Sequence, residues 1–124
     1  DLLAPWARWV TPEAEPRRYD TAFFVAAVPP GQEADARTTE AVEATWWHPA
    51  DALAGAHRGE LLLMPPTQHT LEAIAEHADV AAVHGAVHTR LVQVHRPVLH
   101  RDGRRVVVTV PGDPVLRYDV SGLI

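Results

Sequence analysis

Tyr19-Asp20-Thr21-Ala22-Phe23-Phe24-Val25-Ala26-Ala27-Val28 is the run on which the fold turns. Read as a strand, it sends Thr21, Phe23, Val25 and Ala27 one way and Ala22, Phe24, Ala26 and Val28 the other. Both sets are mainly apolar, the mark of a central strand covered on both faces. Pro29-Pro30-Gly31 stops it, and the polar run from Gln32 to Arg37 reads as a loop. Before it, Trp6 and Trp9 lie in a short strand candidate. Pro12 and Pro16 disfavour any regular element after Val10.

Downstream, Thr38 to Trp47 mixes β-branched and aromatic residues with a Glu-Ala repeat, and we read it as a strand. Glu40, Val42, Ala44 and Trp46 then share a face. Pro49 suits the first turn of a short helix that carries Leu53 and ends near Gly59. Leu61 to Met64 is an apolar segment stopped by Pro65-Pro66. Thr67 is the expected N-cap of the next helix, with Leu71, Ile74 and Ala78 as its buried stripe. Asp79 is expected to cap another, through about Thr89. Val92 to Leu99 and Arg105 to Val110 flank Asp102-Gly103, so 92–110 reads as a β-hairpin. Pro111-Gly112-Asp113-Pro114 closes that unit, and the last residues read as a tail. The expectation is one α+β domain over 1–124.

Composition excludes several classes. The 124 residues are 47% hydrophobic and 22% charged, an ordinary globular balance. No apolar run is long enough to span a membrane, and no signal peptide is visible; a cytoplasmic protein is the expectation. A formal charge of −5 argues against sequence-independent nucleic-acid binding. Cys is absent, which removes disulfides and thiolate chemistry. Every basic residue is Arg, so Schiff-base chemistry on lysine is excluded too. Ser121 is the only Ser, which leaves no credible serine nucleophile. Protonating all eight His would move the formal charge from −5 to +3.

The candidate chemistry is sparse. Arg17 and Arg18 stand at the mouth of the Tyr19–Val28 strand, where paired guanidiniums could hold phosphate oxygens. The plainer reading, one Arg paired with Asp20 or Glu15 and the other solvated, outweighs it. Glu40 and Glu43, three apart on a strand, face opposite ways and form no carboxylate pair. Glu40 shares its face with Val42, Ala44 and Trp46, which suits either a site or the strand's exposed start. His77, His84 and His88 would share one face of a continuous helix and could bind zinc. Asp79 interrupts that helix and Gly85 weakens it, no HExxH occurs, and surface or interface histidines are the preferred reading. No metal ligand is assigned.

The order of segments carries more. Trp9-Val10-Thr11-Pro12, Arg17-Arg18-Tyr19-Asp20-Thr21-x-Phe23-Phe24, Glu40-x-x-Glu43-x-x-Trp46 and Pro65-Pro66-Thr67 with Leu71 follow one another. This order resembles the second half of Nudix hydrolases, in the branch of peroxisomal coenzyme A diphosphatases and their bacterial relatives. The resemblance covers about residues 3–78 and not the C-terminal hairpin. It implies an α/β/α sandwich around a mixed sheet, here lacking its first strands and catalytic helix. It also implies cleavage of a nucleoside diphosphate linked to another group, dependent on Mg²⁺ or Mn²⁺. The motif that supplies the metal site, G-x5-E-x7-R-E-U-x-E-E-x-G-U, is missing from this sequence. Glu72-Ala73-Ile74-Ala75-Glu76 lacks its Arg, its adjacent Glu pair and its glycines. In relatives that motif precedes the segment matching Asp1.

By the same resemblance, Glu40 is carried over as a catalytic candidate and Arg17, Arg18 and Asp20 as substrate-binding candidates. The expected partners are a small nucleoside diphosphate derivative and either a second copy or a missing N-terminal half. Neither nucleic acid nor membrane is expected. The rival reading is a non-catalytic ligand-binding or interaction domain that keeps the second half of the fold.

Overall fold

The computed structural model describes residues 3–11, 15–32 and 44–121. The described elements are β1 (Leu3–Val10), β2 (Asp20–Ala26), α1 (Pro49–His57), α2 (Pro65–Ala75), α3 (Val80–Ala86), β3 (Gln93–His95), β4 (Val98–Asp102), β5 (Arg105–Val110) and β6 (Asp113–Asp119). They form an α+β arrangement with two three-stranded sheets, ordered β2-β1-β3 and β4-β5-β6. The first is mixed, β1 being antiparallel to β2 and parallel to β3. The second is antiparallel throughout.

β1 earns the centre of the first sheet by what it buries. Trp6, Ala7 and Trp9 are all buried, and Trp6 is only 1% exposed. A register shift between Pro5 and Ala7 lets the two neighbours Trp6 and Ala7 both enter the core. β2 is correspondingly an edge strand among the described elements, which corrects the expectation for Tyr19–Val28. Phe23 and Val25 pack against the core, while Phe24 is 55% exposed on the opposite face with Ala22 and Ala26. An alternation of apolar with apolar residues does not distinguish a covered face from a bare one; only the neighbours do. The strand buried on both faces is β5, with Val106, Val108 and Val110 in the main core and Val107 also buried.

Three turn readings are also corrected. Pro65-Pro66 ends the 61–64 segment by opening α2, so Met64, not Thr67, is at the N-cap. A proline at the first helical position loses no hydrogen bond, because that N–H has no acceptor in the helix. The expected 92–110 hairpin divides at Arg96-Pro97. Its first part, β3, joins β1, and only β4 folds back on β5. Asp102 pairs with Arg105 across Gly103-Arg104, and Gly103 has φ +62°. A left-handed first position followed by an ordinary one is the pattern of a II′ hairpin turn. Pro111-Gly112 is a second tight turn, with Gly112 at φ +89°, and it leads into a full strand, β6, where a tail was expected.

Of Thr38–Trp47, residues 44–47 carry no strand; 38–43 lie outside the described residues. α1 begins at Pro49 as expected. Asp79 caps α3 by accepting a hydrogen bond from the Ala82 N–H at 2.8 Å, although that helix ends at Ala86 rather than near Thr89. Ala78 falls in the turn between α2 and α3, outside the stripe assigned to it. Both sheets close on one core: Trp6 and Trp9 from β1 meet Val106, Val108 and Val110 of β5 and Tyr118 of β6. Ala73 and Ile74 of α2 and Val83 and Val87 beside them cover its side. No helix among the described residues is long and apolar enough to cross a membrane.

Candidate functional site

A cleft of about 330 Å³ opens where the two sheets meet the start of α2. Its walls are Trp9 and Phe23 from the first sheet, Leu99 and Val108 from the second, and Pro66 and Pro97 from the connections. Glu15 and Arg17 supply its charged lining. The segment carrying them is held by Thr11 and Tyr19. The Thr11 N–H donates to the Tyr19 carbonyl at 2.9 Å, and the Tyr19 N–H donates to Thr11 Oγ1 at 2.8 Å. This clasp anchors both ends of the 11–19 segment beside the cleft. Its volume falls at the lower end of the range for small-ligand sites.

The four sequence-derived site residues fare differently. Arg17 lines the cleft and makes no ion pair among the described residues. Arg18 turns back to its own loop, its guanidinium 3.4 Å from the Thr11 carbonyl oxygen. Asp20 is engaged by Arg8, whose Nε donates to Oδ1 at 2.6 Å and whose terminal nitrogen meets Oδ2. Those hydrogen bonds hold the Asp20 carboxyl below the usual carboxylate range and raise Arg8. Glu15 is 3.7 Å from Arg101. The pairing expected within Glu15–Asp20 is thus supplied from outside: each acid meets an Arg from another strand. Glu40 lies outside the described residues.

The three histidines of the sequence reading do not meet. His77 sits edge-on to Trp6 at 6.3 Å, and the His84 and His88 rings are 6.2 Å apart on α3 and the turn after it. The break between α2 and α3 removes the continuous face they required. A different histidine grouping exists. His69 and His95 are 4.8 Å apart and both lie against Trp9, at 5.3 and 4.5 Å. His95 is 8% exposed. The Trp9 indole N–H is buried without a hydrogen-bond partner among the described residues. Nearby, the Arg90 guanidinium stacks 3.6 Å over the Trp6 ring, and burial lowers its pKa. Among the described residues, no group of three or more His, Asp and Glu could hold a metal ion.

Sequence reasoning missed the cleft because its lining comes from seven separated stretches. Several of them (Trp9 to Thr11, Arg17, Thr21 with Phe23, and Pro65-Pro66) belong to the motifs that carry the family resemblance, but their order along the chain does not show that they converge on one cavity. His69 and His95 lie 26 positions apart, on a helix and a strand, so periodicity links neither to Trp9.

Comparison with known proteins gives two curated relatives. Over 124 aligned residues, 94% of this chain and 33% of the relative, the chain is 26% identical to acyl-coenzyme A diphosphatase NUDT19 of Xenopus laevis. Over 79 residues, 64% of the chain and 27% of the relative, it is 30% identical to a Caenorhabditis elegans protein named as nudix hydrolase 7. The chain therefore spans about a third of the length of these relatives. No family model matches it, and no solved structure does. The motif order read from the sequence and these two alignments agree: the chain resembles Nudix hydrolases, and specifically those of the coenzyme A diphosphatase kind.

Proposed function

We propose that this chain is part of a Nudix-type hydrolase that cleaves a nucleoside diphosphate linked to another group, of the coenzyme A kind. The observation that carries this reading is the alignment over 94% of the chain with a relative named acyl-coenzyme A diphosphatase. The chain's own contribution is binding. Arg17 beside the cleft offers a planar pair of donors suited to phosphate oxygens. Arg18 is the neighbouring candidate, and Asp20, held by Arg8, fixes the start of β2 beside them. Glu40 is the proposed catalytic carboxylate.

The reading includes Mg²⁺ or Mn²⁺ in the complete enzyme, where such an ion neutralises diphosphate charge and activates water. The described residues do not fit that ion, since they offer no cluster of three acids or imidazoles. No step of binding by Arg17 or Arg18 depends on it. The reading also includes association with a second copy or with further chain. The uncovered face of the first sheet, where Leu3, Phe24 and Val94 are exposed, supports it.

The test is turnover of coenzyme A, ADP-ribose and NADH by the full natural protein with Mg²⁺ or Mn²⁺. Metal-dependent release of a nucleoside monophosphate product is expected, with Arg17→Gln and Arg18→Gln raising KM and Glu40→Gln lowering kcat. The 124 residues alone are expected to be inactive. No turnover of any of the three by the full protein overturns the reading and leaves the ligand-binding alternative.

A further inference from the structure

A second cavity, also of about 330 Å³, lies between the end of α1, the start of α2 and β6, and it shares only Pro65 and Val120 with the first. His57, Gln68, Arg117, Tyr118 and Asp119 give it a polar lining, and the hydrolase reading uses none of them. Arg117 and Asp119 are alternate residues of β6, both exposed, so they stand roughly 6.5 Å apart along one side of the strand. They do not pair with each other. One Asp119 carboxylate oxygen accepts from the Ser121 N–H at 3.0 Å and the Ser121 hydroxyl at 2.6 Å, and the other lies 3.7 Å from Arg105. The hydrogen bonds from Ser121 hold the Asp119 carboxyl below the usual carboxylate range. Arg117 has neither an ion pair nor a side-chain hydrogen bond among the described residues. We propose that this cavity binds a free α-amino acid with a polar side chain, its carboxylate on Arg117, its ammonium on Asp119 and its side chain toward Gln68.

The lining carries one guanidinium and one carboxylate, with the His57 imidazole beside them, so net charge selects neither an anion nor a cation. A simple anion on Arg117 would lie near the Asp119 carboxylate, and a simple cation on Asp119 near the Arg117 guanidinium. A zwitterion gives each of the two a counter-charge. The planar guanidinium fork matches a carboxylate, and the Asp119 oxygen facing Arg105 keeps lone pairs free for an ammonium. In an α-amino acid the two charges are one carbon apart, which suits partners on alternate residues of one strand. Gln68 donates one amide N–H to Glu72 at 3.2 Å and keeps its carbonyl and second N–H for a polar side chain. The Tyr118 hydroxyl donates to the same Glu72 at 3.2 Å, so α2 and β6 are already tied together behind the cavity. The volume lies at the small end of ligand sites, as an amino acid requires. This inference does not rest on the hydrolase reading, since binding is measured without turnover.

Isothermal titration calorimetry of the full natural protein with L-serine, L-asparagine and L-glutamine tests it. Saturable one-to-one binding of at least one of the three is expected, with L-alanine weaker. The N-acetyl form of that amino acid lacks the ammonium and its carboxamide form lacks the carboxylate. Each should bind about tenfold more weakly than the parent. Arg117→Gln, at an exposed position with no partner to lose, should weaken the parent by a similar factor and leave the carboxamide form unchanged. No binding of the three at millimolar concentration would overturn the proposal. So would a blocked form or L-alanine binding as tightly as the parent, an affinity unchanged by Arg117→Gln, or an equal loss for parent and carboxamide in that variant.

Discussion

Arg8 of β1 and Asp20 of β2 form an ion pair on the outer face of the first sheet, diagonal to one another in the ladder. Arg8 stands opposite Ala22 and Asp20 opposite Val10. Asp20, expected from the sequence to serve Arg17 or Arg18, is instead bound by an Arg from the neighbouring strand. Both side chains are about half exposed, so the pair orders the mouth of β2 more than it stabilises the fold.

The pair has a defined pH signature. The hydrogen bonds from Arg8 lower the Asp20 pKa in the folded state. Its contribution is therefore fully present above the unfolded value of about 3.9 and is lost as pH falls through the lower folded value. Thermal melts of the natural protein and Asp20→Asn should differ slightly at neutral pH, less so in high salt, and should converge as pH falls through the lowered folded-state value of the Asp20 carboxyl. A gap that widens in acid would contradict the assignment.

Trp6 is the most deeply buried large side chain described, and it carries Arg90 on its face. Trp6→Ala should destabilise by about 3–5 kcal/mol through lost burial and a cavity that the surrounding valines fill only partly. Arg90→Met keeps the aliphatic cover and removes the charge. It should cost about 1 kcal/mol in natural protein and nearly nothing in a Trp6→Leu background. Urea titrations of the four variants of this cycle measure the coupling.

Gly103 sits at φ +62° in the two-residue turn between β4 and β5, with open space where a Cβ would project. The cost of substitution is therefore backbone strain alone. Gly103→Val should destabilise by about 1–2 kcal/mol, and Gly103→Asn by clearly less, because Asn tolerates the left-handed region. Equal losses for the two would place the cost in packing instead.

His77, His84 and His88 are divided between Trp6 and the α3 end. Treatment of the 124-residue chain by itself with EDTA should accordingly leave its Tm unchanged. A fall of several degrees on chelation, reversed by added zinc, would show that these imidazoles come together in solution.

The α+β class, the strand at Leu3–Val10, the helix opening at Pro49 and the Asp79 cap were all legible in the sequence. Each depends on interactions within a few residues: a proline at a first turn, an Asp side chain reaching an N–H three residues on. The order of motifs also carried the Nudix resemblance, which two relatives reproduce. What the tertiary structure decided was which strand is central, where β3 goes, and where the cleft lies. β1 and not β2 holds the middle of its sheet because the tryptophans find the core contributed by β5 and β6, residues about a hundred positions away. Local apolar patterning states that a face can be buried, but not by what. Arg17 beside an apolar cleft and Asp20 beside Arg8 are products of the same long-range pairing, since charge partners are set by proximity in space rather than along the chain.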